Sequence, residues 1–214
     1  MKSTGKETKP SQSELERWNS RFAGEAYHFG TEPNTFLAGQ AKRLRPGMSA
    51  LCVADGEGRN SVWLARQGLR VRAFDFSPVG VEKARRLARD TGVALDARVA
   101  DINSWDWDEA RYDLVVAIFF QFATPEERAK IFAGMTRSLA SGGLLLLQGY
   151  TLRQLEYKTG GPADPARLYT EALLRESFAA LEILHLAEHD ETVSEGDAHV
   201  GMSALIDLVA RKPQ

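Results

Sequence analysis

Three carboxylates and one glycine turn carry most of the chemistry this chain can do. The run Asp55-Gly56-Glu57-Gly58-Arg59-Asn60 follows the short apolar stretch Leu51-Cys52-Val53-Ala54, Asp75 ends a second expected strand, and Asp101 follows a third. Glycines at such a turn let the backbone approach a ligand closely. An acid at the end of the next strand accepts hydrogen bonds from ribose hydroxyls. A dinucleotide site prefers Gly or Ala at the third small position, where this chain has Ser61. Asp55 and Glu57 also place negative charge where a pyrophosphate would lie. The turn suits a nucleoside cofactor that carries positive charge and no phosphate.

The elements that must position these groups alternate in type. Strands are expected at 50–54, 70–74, 94–100, 112–118 and 144–149, with helices between them at 60–67, 79–91, 125–139 and around 105–110. The runs Leu114-Val115-Val116-Ala117-Ile118 and Leu144-Leu145-Leu146-Leu147 are apolar throughout, as suits strands covered on both faces. Alternating β and α elements of this kind imply an α/β fold, a doubly wound parallel sheet in three layers. After a helix over 169–179, two strand-like runs, 181–188 and 200–210, are joined by the polar stretch 190–198 with no helix in it. Such a pair must be antiparallel. The expected architecture is therefore Rossmann-like and seven-stranded, five parallel strands followed by an antiparallel terminal pair, with helices on both faces. Ahead of it, residues 1–13 are polar enough to form a disordered arm. A helix is expected over 14–22, then the aromatic loop Tyr27-His28-Phe29-Gly30-Thr31-Glu32-Pro33, then a helix capped by Asn34 and running to about Leu44. Residues 14–214 are expected to form a single domain: N-terminal helices and a lid loop to 46, a cofactor-binding core over 47–150, and a substrate-side helix and hairpin over 151–214.

Composition narrows the partners. The 214 residues are 43% hydrophobic and 26% charged, with a net charge of −2. No basic field of the kind that binds nucleic acid or an anionic membrane is present. The cluster Lys83, Arg85, Arg86 and Arg89 reads as the solvated face of a helix. The single cysteine, Cys52, excludes an intramolecular disulfide and sits in an apolar strand. No signal-peptide pattern or long apolar run is evident, so the cytoplasm is the default compartment, and a monomer or homodimer the default state. The four histidines show no metal-ligand spacing, and no metal is expected.

Taken in order, these motifs resemble the class I S-adenosylmethionine-dependent methyltransferases, and among them the small-molecule group that includes the tellurite-resistance methyltransferases. The glycine loop Gly56-Glu57-Gly58-Arg59-Asn60-Ser61, the acid of Asp75-Phe76-Ser77, the Asp101-Ile102 pair, the strand start Tyr112-Asp113-Leu114 and the Leu139-to-Gly143 turn all match in sequence order. The resemblance covers residues 47–150 firmly. It implies S-adenosylmethionine as cofactor, with Asp75 on the ribose, Asp101 and Ile102 at the adenine, and Asp55 to Asn60 at the methionine end. Phe76, Ser77, Ala117 and Phe119 complete the implied cofactor set. The chain departs from the family in one place: Cys52 stands where an acid is usual and Ala54 where the first glycine of Gly-x-Gly-x-Gly is usual. Asp55 is then the residue positioned to supply the charge.

The acceptor side is drawn less sharply. Tyr27, Phe29, Asn34, Phe120, Gln121, Tyr150 and Gln154 are the substrate-facing candidates, because they leave strand ends or sit in the loop that can fold over the cofactor. Each has a plainer role open to it, as core aromatic or loop strut. His28, Gln121, Tyr150 and His199 are the catalytic candidates. Glu57 is either a cofactor contact or an exposed turn residue. The expected function is methyl transfer to a small-molecule acceptor by in-line displacement. The acceptor is a soft sulfur, selenium or tellurium nucleophile, or an oxygen or nitrogen one. Two alternatives stand beside it: an NAD(P)-linked oxidoreductase on a related fold, and a non-catalytic S-adenosylmethionine-binding accessory protein.

Overall fold

A computed structural model describes the backbone of residues 12–196 and 199–214. One sheet organises them. Its strands, β1 (Ser49–Val53), β2 (Arg70–Asp75), β3 (Asp96–Val99), β4 (Tyr112–Ile118), β5 (Leu139–Tyr150), β6 (Glu182–Glu195) and β7 (His199–Arg211), lie in the order β3-β2-β1-β4-β5-β7-β6. The first five are parallel, and β7 runs antiparallel between β5 and β6. The expected seven-stranded α/β sheet with its antiparallel terminal pair is the sheet observed. The order reverses at β1 and β4, so the cleft at that switch point opens above the carboxyl ends of the strands.

The helices are α1 (Gln12–Phe22), α2 (Thr35–Gly39), α3 (Arg59–Arg66), α4 (Pro78–Asp90), α5 (Pro125–Ser138), α6 (Gln154–Tyr157) and α7 (Glu171–Ser177). Alternate residues of β1 feed two cores. Leu51 and Val53 join Ile131, Phe132 and Leu174 on one face, while Ala50 and Cys52 join Leu37 and Leu64 on the other. Side chains at successive strand positions point to opposite faces, which is why an unbroken apolar run is what a doubly covered strand needs. The start of α5 shows the local encoding well. Thr124 accepts from the Glu127 backbone, Glu127 reaches back to Thr124, and Pro125 occupies the first turn, a reciprocal cap that fixes where the helix begins.

Four expectations are corrected. Gln12 and Ser13 belong to α1, so the expected arm ends earlier; its remainder, 1–11, lies outside the described residues. No helix forms at 105–110. Trp105 stacks on Phe74 at 4.1 Å, Trp107 is buried against Gly134, and Asp106 accepts the Asp108 amide. Both indoles pack on the Phe74 ring, one stacked and one edge-on at 6.1 Å, and residues two apart do not share a face of a helix. The polar stretch from 190 is strand rather than loop: β6 pairs with β7 as far as Glu195↔His199. Its alternating Thr192-Val193-Ser194 pattern buries Val193 and leaves its neighbours outward. Finally, the helix after Asn34 stops at Gly39 and continues only as a single 3-10 turn, Ala41–Arg43.

The basic cluster on α4 is not a uniformly solvated face. Lys83 is buried and donates to the carbonyls of Phe22, Gly24 and Ala26 at 3.3, 2.9 and 2.6 Å, while pairing with Glu57 at 2.5 Å. It ties the segment leading out of α1 to the body of the protein.

Candidate functional site

The site begins with the backbone conformations at the end of β1. Ala54, Gly56 and Gly58 all have positive φ, at 50°, 60° and 91°. Gly58 must be glycine for a packing reason: a Cβ there would meet the Ala84 Cβ at 2.6 Å, so α3 could not lie against α4. Ala54 adopts the left-handed region without being glycine, which explains why glycine is usual at that position. The turn swings back under Asp75, whose Oδ2 accepts from the Gly56 amide and whose Oδ1 accepts from the Ser77 amide, both at 2.9 Å. One carboxylate thus fixes the glycine turn and the start of α4, and each oxygen keeps a lone pair for a ligand.

Two cavities meet at this carboxylate. The first, about 200 Å³, is lined by Asp75, Phe76, Asp101, Ile102, Asn103 and Phe122, among others. The second, about 100 Å³, runs over Cys52, Ala54, Asp55, Gly56, Arg59 and Asn60 and is roofed by Trp18, Phe22 and Phe29. Those three rings pack on one another at 5.4 to 6.3 Å. A third cavity, about 750 Å³, opens beside them, with Trp18, Phe29, Phe119 and Phe122 shared between the second and third. Phe122 faces all three.

The electrostatics are unusual for so small a cleft. Burial, reinforced by the Asp75 charge, pushes Asp55 up to about 7 against the hydrogen bond it accepts from the Ser61 hydroxyl. Burial likewise pushes Asp75 up to about 6 against its backbone hydrogen bonds. Two carboxylates carry negative charge that the protein leaves incompletely compensated, and a cationic ligand would complete it. The Cys52 thiol is pushed well up by burial and by Asp55, so it is an inert wall residue.

Residues expected to bind cofactor sort into two groups. Asp55, Gly56, Arg59, Asn60, Asp75, Phe76, Asp101, Ile102 and Phe119 line the first two cavities. The others do not. Glu57 is buried, pairs with Lys83 and accepts from the His28 amide at 2.7 Å, so it anchors the aromatic loop. Gly58 serves helix packing. Ser77 caps α4 through Gly80 and donates to Asn19. Ala117 is enclosed in the core.

The substrate-facing set divides the same way. His28, Phe29, Gln121 and Tyr150 line the third cavity, and Phe120 lines the second. Gln121, however, is occupied. Its amide donates to the carbonyls of Tyr150 and Arg167 and accepts from the Tyr150 amide at 2.6 Å, so it straps the wall together rather than presenting a polar group to it. Burial and the Glu195 charge push the Tyr150 phenol far up, which keeps it protonated and rules it out as a base near neutral pH. Tyr27 lies over α4 and donates to the Lys83 carbonyl. Asn34 caps α2 and joins Gln148 to Glu195. Gln154 is buried and bonds Gly160 and Ala204. In Asn34 and Gln154 a buried polar side chain satisfies backbone that would otherwise be stranded. The His199 backbone pairs in the hairpin, and its side chain lies outside the described residues.

Several lining residues had no sequence signal as ligand groups: Arg17, Trp18 and Arg21 on α1, Asn103, and Arg167 after a 3-10 turn (Pro165–Arg167). Trp18 fits the helical spacing of a core aromatic, and the arginines resemble any solvated charge. The aromatic loop lines the second and third cavities through Phe29. It is fastened there: Gly30 and Gly196 approach so closely that a Cβ on Gly196 would sit 2.5 Å from the His28 carbonyl. Arg59 is also engaged, in a buried pair with Glu195 at 2.6 Å.

Comparison with known proteins agrees with this geometry. Residues 50–143 match the model of a methyltransferase domain family. A ubiquinone biosynthesis O-methyltransferase of Methylocella silvestris is 36% identical over 78 residues, 36% of this chain and 30% of that protein. A ribosomal protein L11 methyltransferase of Geobacillus thermodenitrificans is 31% identical over 129 residues, 59% of this chain and 40% of that protein. The matched segments thus span less than half the length of these curated relatives. Among solved structures, TehB from Haemophilus influenzae superposes with a TM-score of 0.69 at 20% identity, covering 92% of this chain and 66% of that one. The N-methyltransferase NodS from Bradyrhizobium japonicum, solved with S-adenosyl-L-homocysteine, gives 0.69 at 16% identity over 94% of this chain and 98% of that one. The [4+2]-cyclase SpnF gives 0.65 at 22% identity over 94% and 92%. Residues 50–143 of this chain thus match a methyltransferase domain, and the chain as a whole has the fold of these solved structures.

Proposed function

We propose that the chain binds S-adenosylmethionine across the two smaller cavities and transfers its methyl group to a small molecule held in the third. The observation that carries this is the arrangement of the cavities. Asp75 sits where the two cofactor compartments meet, and an aromatic wall shared by the second and third separates the methionine end from the acceptor. The residues present fit the cofactor. Asp75 has oxygens to spare for ribose hydroxyls, and Asp101, with one oxygen used by the Asn103 amide at 2.9 Å, faces the same cavity beside Ile102. The partly compensated charge of Asp55 and Asp75 favours a sulfonium and an ammonium over a pyrophosphate, which also disfavours a dinucleotide.

When bound, S-adenosylmethionine supplies a methyl group already activated by its positive sulfur. The chain's own task is then to orient and to exclude water. Asp75 holds the sugar and, through Gly56, the turn beneath it. Trp18, Phe22 and Phe29 close the methionine end from solvent. Phe119, held at a positive φ of 53° and stacked on Tyr150 at 4.7 Å, forms the partition beside the acceptor. A base is needed only for a nucleophile that arrives protonated. His28, which lines the third cavity, is the residue we propose for that role.

The fold alone does not choose the reaction, since a cyclase shares it. Calorimetry with S-adenosylmethionine, followed by radiolabelled methyl transfer to a panel of thiol, hydroxyl and amine acceptors, tests the reading. Micromolar binding with transfer is the expected result. Absence of binding would overturn it, and binding without transfer across the panel would favour the accessory-protein alternative.

A further inference from the structure

We infer that the acceptor is an organic anion: a flat apolar body between the aromatic walls, with a carboxylate or similar oxyanion taken by the guanidinium groups of Arg21 and Arg167. The inference rests on the methyl-transfer reading for calling the ligand an acceptor, and on the cavity alone for its charge.

The titratable groups on the wall of the 750 Å³ cavity are Arg17, Arg21, Arg167, His28, Tyr150 and a single carboxylate, Asp164. Arg17 is already paired with Glu14 of its own helix at 3.1 Å. Arg21 lies over the Trp18 ring at 4.9 Å and pairs with no carboxylate among the described residues. Arg167 stands between the acceptor cavity and the first cofactor cavity, lining both. Its Nε is buried without a hydrogen bond, and the nearest carboxylate, Asp164, lies 3.7 Å away. Positive charge therefore exceeds negative on this wall, in contrast to the adjoining cleft at Asp55 and Asp75.

Arg167 is held in place by its backbone. Gln121 donates to its carbonyl at 3.1 Å, Arg128 donates to the Ala166 carbonyl at 2.6 Å, and Asp164 caps the short turn at 2.9 Å. Three polar side chains spent on two consecutive residues make this a built feature rather than a surface charge. Guanidinium groups recognise planar oxyanions through paired N–H donors. Phe29, Phe119 and Phe122 supply flat apolar surface on the same wall, and the volume is that of a small-molecule pocket. A cationic amine would meet arginines and a single carboxylate, Asp164, whose Oδ1 already accepts the Ala166 amide.

The test uses the full chain and matched ligands: one-ring and two-ring aromatic acids, their methyl esters and the corresponding aromatic amines, titrated by calorimetry with and without S-adenosylhomocysteine. The acids should bind at least tenfold more tightly than esters and amines. Arg21→Gln and Arg167→Gln should each remove most of that preference, and Arg21→Gln should do so with S-adenosylhomocysteine affinity unchanged. Circular dichroism of both variants shows whether they are folded. Esters or amines binding as well as the acids would overturn the inference, as would no member of the panel binding a chain that binds S-adenosylhomocysteine. Acid selectivity in a chain that binds no S-adenosylhomocysteine would sink the methyl-transfer reading and leave the anion site standing.

Discussion

The two sides of the cleft, the proposed cofactor side and the proposed acceptor side, are built by different means. The cofactor side is made from short contiguous pieces: β1 with its turn, the end of β2 with Asp75, and the Asp101-Ile102 pair after β3. The acceptor side is gathered from α1, the loop at 28–29, the segment 119–122, Tyr150 at the end of β5 and the turns from 160 to 167. They also differ in charge. Two partly compensated carboxylates mark the first, and two under-paired guanidiniums the second. Contiguous construction lets a turn be recognised from its own residues. Construction from distant pieces leaves each residue looking ordinary until the fold assembles it.

One buried pair fastens the two sides together, and breaking it should have the largest effect. Lys83→Met leaves Glu57 buried without its cation and releases three carbonyls between Phe22 and Ala26. Removing one partner of a buried ion pair costs about 3–5 kcal/mol. Urea unfolding of the variant should show a loss of that size. A loss below about 1 kcal/mol would mean that α1 and the aromatic loop are not fastened through Lys83, and that the roof of the cleft is held by the aromatic cluster alone.

Asp75→Ala comes next. It removes the acceptor of the Gly56 and Ser77 amides as well as the proposed ribose contact. Hydrogen bonds to a charged group are worth about 1.5–3 kcal/mol each, so S-adenosylmethionine affinity measured by calorimetry should fall by about 100-fold. Binding of aromatic acids on the other side should move by less than about threefold. Equal losses on both sides would dissolve the distinction between them.

How much was legible in the sequence follows the same division. Strands β1, β4 and β5 were readable from their unbroken apolar runs, β2 and β3 from apolar residues alternating with charged ones, and Asp75 and Asp101 from their places at strand ends. Glu57, Asn34, Gln154 and Tyr27 were misplaced for a shared reason. A polar residue in a turn or loop at a strand end looks like a ligand group, yet these four are struts whose partners, among them Lys83, Gln148 and Ala204, lie far away in sequence. Arg17 and Arg21 are four apart on a helix, a spacing that solvated faces share. The Trp105–Ala110 segment failed differently, because two indoles two residues apart both pack on Phe74, which a helix does not allow. Strand β6 ran on past its apolar part because pairing with β7, not hydrophobicity, sets its length.

The charge contrast predicts a pH effect confined to the cofactor side. Asp55 at about 7 and Asp75 at about 6 are raised above the ordinary 3.8 of an unfolded aspartate. The folded chain therefore binds more protons than the unfolded chain between roughly pH 4 and 7, so ligand-free stability should be fullest below pH 4 and should fall as pH rises through that window. A cationic ligand favours the ionised acids and reverses the trend for binding: S-adenosylmethionine affinity should increase by up to about tenfold from pH 6 to 8. S-adenosylhomocysteine, lacking the sulfonium charge, should show a shallower slope. Parallel slopes would mean that the two acids do not face the sulfonium.

The smallest effect concerns the residue that departs from the resembled family. Ala54 sits at a φ of 50°, and its methyl group faces both cofactor cavities. An L-residue in the left-handed region is disfavoured by about 1–2 kcal/mol, whereas glycine adopts it freely but carries about 0.5–1 kcal/mol more entropy into the unfolded chain. The two terms leave Ala54→Gly more stable by up to about 1 kcal/mol, readable as a higher urea midpoint with an unchanged slope. Because Asp75 holds the turn from below through Gly56, the backbone is already in its binding conformation, and cofactor affinity should change by less than about threefold. A gain in affinity of tenfold or more would show instead that the strained alanine keeps the turn from its binding conformation. The cofactor side would then owe its shape to the ligand rather than to the contiguous residues that build it.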